Sequence, residues 1–598
     1  MTAFLIHNIA PLMFASLVIF MLLGYPVAFA LAANGIVFGL LGIHLDLLHP
    51  ALLQALPDRI WGVMSSETML AVPFFTLMGL VLERSGMAED LLDTIGQLFG
   101  GIRGGLAFAV IFVGALLAAT TGIVAASVIA MGLIALPIML RYGYDRRIAA
   151  GVIAASGTLA QIIPPSLVLI VLADQLRLSV GDMYAGAILP GLILAGFYAV
   201  FVAVIAIVRP HWVPALPPEA RIFREPSGTS GIQSLAVLFV IALLVGILCA
   251  HWLAHRPLDE RIVLSTSAGV SVAFALALIN RALKLGWLSA MAEKMTFVLV
   301  PPLALIFLVL GTIFLGVATP TEGGAMGAAG ALLMAWARRR LNLKNLKEAL
   351  DGTAKLTTFV VFILIGARVF SLTFYGVNGH VWVEELLTAL PGGQTGFLIA
   401  VNVLIFFLAF FLDFFELAFI LVPLLAPAAD KLGIDLVWFG VLLAVNMQTS
   451  FMHPPFGFAL FYLRSVAPES AFLDRVTGKL TAPVTTGQIY WGAAPFVIMQ
   501  LIMVGVLIAF PGLVLVYRDI PDKPPPRLEL RAPLQPPQLQ DTEEDLTAAF
   551  GGVSDRASLA GTPAGLPPRS TAAETAAENA SANAEAAAIT QSLIAKPR

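Results

Sequence analysis

The chain has 598 residues, 59% of them hydrophobic and 12% charged, with a mean hydropathy of +0.92. So much apolar surface and so little charge exclude a water-soluble protein of this size. The balance of 34 basic and 37 acidic residues leaves no footprint for nucleic acid. The lone Cys249 excludes an intrachain disulfide and a cysteine-based metal cluster.

Apolar runs long enough to cross a hydrocarbon core of ~30 Å recur along the chain, so it is polytopic. No Lys or Arg precedes Arg59, and a secretory signal needs a charged start, so Met1 to Leu41 reads as a retained transmembrane segment. Spans are predicted near 10–41, 68–84, 147–177, 184–208, 232–253, 262–280, 296–317, 322–337, 353–374, 436–464 and 488–517. Two further stretches, 104–141 and 396–428, are long for one crossing and are interrupted near their middles. The interruptions are Thr120-Thr121-Gly122 and the segment from Asp413 to Glu416. A re-entrant hairpin, turning at mid-depth under a cover of protein, accounts for both. From Pro521 to Arg598 the chain is rich in Pro, Ala, Ser, Thr and Glu and poor in aromatics, a composition that predicts a disordered tail.

An internal repeat organises these elements. Gly143-Tyr144-Asp145 precedes Pro164-Pro165 by 21 residues, and Gly433-Ile434-Asp435 precedes Pro454-Pro455 by the same 21. Pro137 and Pro427 each stand six residues before the glycine, so three landmarks share an offset of 290. The implied organisation is a first repeat over 1–210, an inserted segment with two extra spans over 211–290, and a second repeat over 291–520. The tail follows over 521–598. Duplicated halves with broken helices are the pattern of a secondary transporter whose site lies between them. With the hairpins so placed, twenty Lys and Arg gather on one side, among them Arg84, Arg141, Arg281, Lys294 and Arg340. The other side holds only Arg59, Arg177, Arg256, Arg261 and Lys431. By the positive-inside rule the first hairpin opens to the cytoplasm and the second to the outside, an inverted topology. Eleven crossings place the N-terminus inside and the tail outside.

A proline pair inside a membrane helix removes two donors and frees carbonyls one turn earlier, which must find a partner in hydrocarbon. That partner is a bound cation, a hydroxyl or a water. The first break carries Gln161 and Ser166, with Ser156 and Thr158 just before; the second carries Asn446, Gln448, Thr449, Ser450 and His453. Oxygen ligands from backbone, hydroxyl and amide suit a hard ion such as Na⁺. Intramembrane charges are few and costly. Asp413 either binds a cation or relays a proton, or it caps the second half of its hairpin. Glu322 in Thr-Pro-Thr-Glu reads as a carboxylate in a capped first turn. Arg368 lies one or two turns from the end of its span. His453 is a titrating group or a hydrogen-bonded spacer. Phosphate-binding loops, His-Glu-x-x-His and Gly-x-Ser-x-Gly do not occur, so neither ATP drive nor hydrolase chemistry is encoded.

These residues resemble the large membrane subunit of tripartite ATP-independent periplasmic (TRAP) transporters. The matching pieces are VPFFTLMGLVLERSG (72–86), the corner at 137–145, AASGTLAQIIPPS (154–166), MYAGAILPG (183–191), GVATPTEGGA (316–325) and GIDLVWFGVLLAVNMQTSFMHPPFGFALF (433–461). The likeness covers most of 5–210 and 290–515. It implies an all-α, inverted-repeat elevator with two re-entrant hairpins and two broken helices, in the bacterial inner membrane. It implies sodium as the coupling ion and no other cofactor, bound where each hairpin tip meets its broken helix. Those positions are Thr121, Gly122 and Ser156 with Pro164, Pro165 and Ser166, and Asp413 and Asn446 with Pro454, Pro455 and Gly457. The implied partners are a small four-helix membrane subunit, a periplasmic substrate-binding protein, and an organic anion bearing carboxylates. The chain departs from the family at Thr121-Gly122-Ile123, where Ser-Gly-Ser is usual, at His453, where Thr is usual, and in the two extra spans. The alternatives are a stand-alone ion-coupled anion transporter and an intramembrane enzyme.

Overall fold

A computed structural model describes residues 2–220, 231–256, 258–454, 457–474, 478 and 480–519. The predicted tail lies outside the described residues. The architecture is α-helical; the exception among the described residues is a two-stranded antiparallel sheet of β1 (Phe472–Leu473) and β2 (Leu480–Thr481).

The chain opens with α1 (Thr2–Leu22) and α2 (Val27–His44). This corrects the single span expected over 10–41. Gly24 has φ 81° and Pro26 stands at the start of α2, so the helix stops and turns there. Asn34 Nδ2 closes the resulting hairpin, donating to Ser16 Oγ at 2.7 Å and to the Met13 carbonyl at 3.3 Å. Each arm is long and apolar enough to cross a membrane. Counted this way, one more crossing precedes Arg59, and the positive-inside rule then predicts the N-terminus on the side opposite the expected one.

The short helices α3 (Ala51–Gln54) and α4 (Leu56–Met64) lead into α5 (Ala71–Arg84) and α6 (Met87–Phe99). The first predicted hairpin is α7 (Gly105–Thr121) and α8 (Val124–Arg141), broken at Gly122-Ile123. The first broken helix is α9 (Arg146–Thr158) and α10 (Leu167–Leu176), after which α11 (Val180–Val208) closes the half. Asp145 caps α9 by accepting from the Arg147 N–H at 2.8 Å. The predicted inserted segment holds α12 (Ile232–Trp252) and α13 (Leu258–Leu283).

The second half runs α14 (Ala290–Phe314), α15 (Pro320–Ala337), α16 (Leu343–Gly376), α17 (Gly379–Thr388) and α18 (Gly393–Leu408). It continues with α19 (Phe414–Lys431), α20 (Leu436–Met447), α21 (Phe458–Val466), α22 (Thr486–Ala509) and α23 (Gly512–Leu515). Shifted by 290, α8 falls on the bounds of α19, α9 starts where α20 starts, and α1 and α2 fall within α14 and α15 with small overhangs. Packing exchanges between the halves in the same register. Helix α2 lies on α16 and α15 on α5, while α10 lies on α19 and α21 on α8. Such swapped pairs are what a pseudo-two-fold arrangement produces. Nearly every residue of α9, α10 and α20 is buried, so these three helices lie in the core of the molecule. Helix α12 is the opposite case, with Leu238 alone buried.

Candidate ion-binding sites at the hairpin tips and helix breaks

The first cluster forms where the α7–α8 tip meets the α9–α10 break. Gly122 caps α7 in the left-handed region, φ 58°, and donates its N–H to the Ala118 carbonyl at 3.1 Å. A Cβ there would stand 3.4 Å from the Pro165 carbonyl oxygen and 3.5 Å from the Leu167 nitrogen, so tip and break touch. Thr121 ends α7; its side chain lies outside the described residues. Ser156 is fully buried on α9 against Gly114 of α7, and its Oγ has no partner. Across the break, Pro164 and Pro165 are followed by Ser166, whose Oγ donates to the Gln161 carbonyl at 2.6 Å. The Gln161 Oε1 is also buried without a partner.

The second cluster forms where the α18–α19 tip meets the α20–α21 break. Asn446 is fully buried and donates through Nδ2 to the Asn402 carbonyl at 2.7 Å and to Asn402 Oδ1 at 2.8 Å. Its own Oδ1 is left without a partner. Subtracting 290 from 446 gives 156, so the two orphaned side-chain oxygens occupy equivalent positions in the halves. His453 stacks on Phe410 at 4.1 Å and meets Phe406 edge-on at 4.6 Å, which presses the second tip onto the second break. Gly457 donates to the His453 carbonyl at 2.6 Å and begins α21. Pro454 is part of the break, and Pro455 lies outside the described residues.

Asp413 is the N-cap of α19. Its Oδ1 accepts from the Glu416 N–H at 2.8 Å, and Glu416 Oε2 accepts from the Asp413 N–H at 2.9 Å, a reciprocal capping box. Glu322 makes the same box with Thr319 at the start of α15, the structural role its sequence context predicts. Arg368 on α16 faces Asp174 on α10 at 3.9 Å. Beside that pair a cavity of about 610 Å³ opens between α16, α10 and α19, with Arg59 and Arg177 on its wall.

The two clusters are joined. Gln448 Nε2 donates to Thr158 Oγ1 at 3.0 Å, and these residues are themselves 290 apart. Gln500 Nε2 donates to Tyr198 Oη at 3.0 Å, with Met452 Sδ against both Thr158 and Gln500. Asn402, Tyr198 and Gln500 are the polar groups that inspection of the sequence passes over. Their signal is that each is a lone polar residue inside an apolar run. Chemically, a buried acceptor without a partner costs about 1–3 kcal/mol. The orphaned oxygens of Ser156, Gln161, Asn446 and Gln448 therefore call for an occupant. Their donor set, neutral and all oxygen, suits a hard monovalent cation or a water.

A helical bundle with two packed halves, each supplying a hairpin tip seated on a broken central helix, defines a membrane permease of the secondary-transporter class. The family model described as tripartite ATP-independent periplasmic transporter, DctM component, matches residues 14–513, and the chain belongs to that family. It is a transport protein rather than an enzyme, and a multi-pass protein of the bacterial inner membrane. The chain is 28% identical over 421 residues to the C4-dicarboxylate TRAP transporter large permease protein DctM of Pseudomonas aeruginosa, covering 70% of this chain and 82% of that one. It is 26% identical over 519 residues to the ectoine TRAP transporter large permease protein TeaC of Halomonas elongata, covering 85% and 99%. Among solved structures, the Alcanivorax borkumensis YdaH transporter matches at a TM-score of 0.45 and 16% identity, over 78% of this chain and 90% of that one.

Proposed function

We propose that this subunit imports an organic anion of the carboxylate class by sodium-coupled elevator movement. The observation that carries the coupling is the pair of orphaned oxygens at Ser156 and Asn446, equivalent in the two halves and each packed against the first arm of a hairpin. Two sodium ions occupy these clusters, with Gly122 and the Pro164-Pro165-Ser166 break at the first, and Asn402, Pro454 and Gly457 beside the second. The hairpins α7–α8 and α18–α19, the broken helices and α11 and α22 form the moving unit. Helices α1, α2, α5, α14, α15 and α16 form the frame. The exchanged packing of α10 on α19 and α21 on α8 supports this division, because it binds the two hairpins and both breaks into one body. A small membrane subunit and a periplasmic binding protein complete the system. The carboxylate class rests on the C4-dicarboxylate relative, and on that of Escherichia coli bearing the name of 2,3-diketo-L-gulonate.

The test is uptake into proteoliposomes holding this chain and its small subunit, with the cognate binding protein loaded with a C4-dicarboxylate outside. An inward sodium gradient should drive accumulation, and its removal should abolish it. Ser156→Ala and Asn446→Ala should each weaken the dependence on sodium while leaving the melting temperature within a few degrees. Accumulation that is indifferent to sodium, or that proceeds without the binding protein, would overturn the proposal and favour a stand-alone carrier.

A further inference from the structure

The cation-poor side of the protein brings its few cations together. Arg59 and Arg177 are two of the five Lys and Arg assigned to that side, and both stand on the wall of the cavity of about 610 Å³ between α16, α10 and α19. Arg368 is the third guanidinium of that wall. Asp174 and Asp430 are its carboxylates, so among the described residues the cations outnumber the anions by one. The surplus is not taken up by neighbours. Neither Arg59 nor Arg177 forms an ion pair or a side-chain hydrogen bond among the described residues. Arg368 faces Asp174 at 3.9 Å, beyond hydrogen-bond reach, and Asp174 accepts from Gln175 Nε2 at 2.7 Å instead. A guanidinium near the end of a membrane span with its donors unfilled is costly.

The packing of the repeat does not require these charges. The offset of 290 sets Met78 at the position of Arg368, Ala349 at that of Arg59 and Ala467 at that of Arg177. All three counterparts are apolar and buried. The cluster therefore belongs to one half, and its role is not that of the shared scaffold. A guanidinium presents a planar fork of donors that matches a carboxylate. The cavity has the volume of a small-molecule site, and its wall shares no residue with the two ion clusters.

We propose that this recess is an outer docking site for a small organic anion, whose carboxylate is gripped by Arg177 and Arg368 and takes the place of Asp174 on Arg368. The anion's class rests on the import reading above, which the docking site deepens. Arg368 belongs to the frame and Asp174 to the moving unit. The exchange therefore removes an ionic tie across the surface on which the two slide, with Gln175 left to hold Asp174.

The test uses the full chain with its small subunit in phosphatidylcholine nanodiscs, in a sodium-free choline buffer that leaves sodium-dependent sites empty. The probes are succinate, its neutral isostere succinamide, and inorganic sulfate. Saturation-transfer NMR should show succinate bound and succinamide unbound. Arg177→Gln and Arg368→Gln should each raise the dissociation constant about tenfold, as the loss of one charged hydrogen bond predicts. Asp174→Asn removes the competitor for Arg368 and should tighten succinate severalfold, which loss of a merely structural pair would not do. Succinate that does not bind the wild-type chain, binds both glutamine variants as tightly, or is displaced equally well by sulfate overturns the proposal. So does weaker binding in Asp174→Asn. Glutamine variants that keep succinate but lose capture of the binding protein would give the recess to that protein instead. The import reading fails separately: a wild-type chain that binds succinate here but shows no sodium-driven uptake overturns import and leaves the docking site standing.

Discussion

Asp413 shows how much one side chain's geometry decides. Its position at a hairpin tip suits both an ion ligand and a cap, and the reciprocal bonds with Glu416 supply the cap. Asparagine caps helices about as well as aspartate, whereas alanine loses about 1 kcal/mol. Asp413→Asn should therefore retain uptake and melting temperature, and Asp413→Ala should lower the melting temperature; a loss of sodium dependence in Asp413→Asn would assign the charge a direct part in ion binding. The spacing of Asp413 and Glu416 is already that of a capping box, so this role was legible in the sequence. The partnership of Asn446 with Asn402 was not, because it joins residues 44 apart on different helices. His453 was legible as a polar residue beside a proline pair, but its environment was not: the rings of Phe406 and Phe410 come from another element.

Among elements, interruptions were easier to read than continuous runs. Both hairpin tips and both broken helices were visible because glycine, proline and clustered polar residues punctuate apolar stretches there. The turn between α1 and α2 was hidden by a hydropathy that hardly dips, although Gly24-Tyr25-Pro26 marks it and the offset of 290 pairs the two helices with α14 and α15. The contacts that cross from α16 to the proposed moving unit give that unit a direct test. Tyr375 Oη donates to the Pro423 carbonyl of α19 at 3.1 Å, and Arg368 faces Asp174 of α10. Cysteines at 375 and 423, in a chain with Cys249→Ser, should react with a short bismaleimide and stop uptake. Uptake that survives complete crosslinking would mean that α16 and α19 do not slide past each other. The exchanged packing itself had no local signature, since it depends on which faces meet and not on where helices begin.

For the whole molecule, the extra crossing at the start changes orientation. With Arg59 kept on the cation-poor side, α2 runs outward and α1 inward, so the N-terminus lies outside. An N-terminal tag should be cleaved by protease added to intact spheroplasts, and a tag that resists until the cells are lysed would restore the cytoplasmic assignment. The lesson is one of parity: a composition of 59% hydrophobic residues announces many spans, but a single unseen turn reverses a terminus.

The bond between Gln448 and Thr158 has a consequence for ancestry. Positions related by the repeat can touch each other only on the pseudo-symmetry axis. In a dimer of identical subunits, such a position faces its own copy, and one residue type must serve both sides. Fusing two copies into one chain removes that obligation. Here one side donates and the other accepts, so the two halves meet at this position as a complementary pair at the centre of the permease.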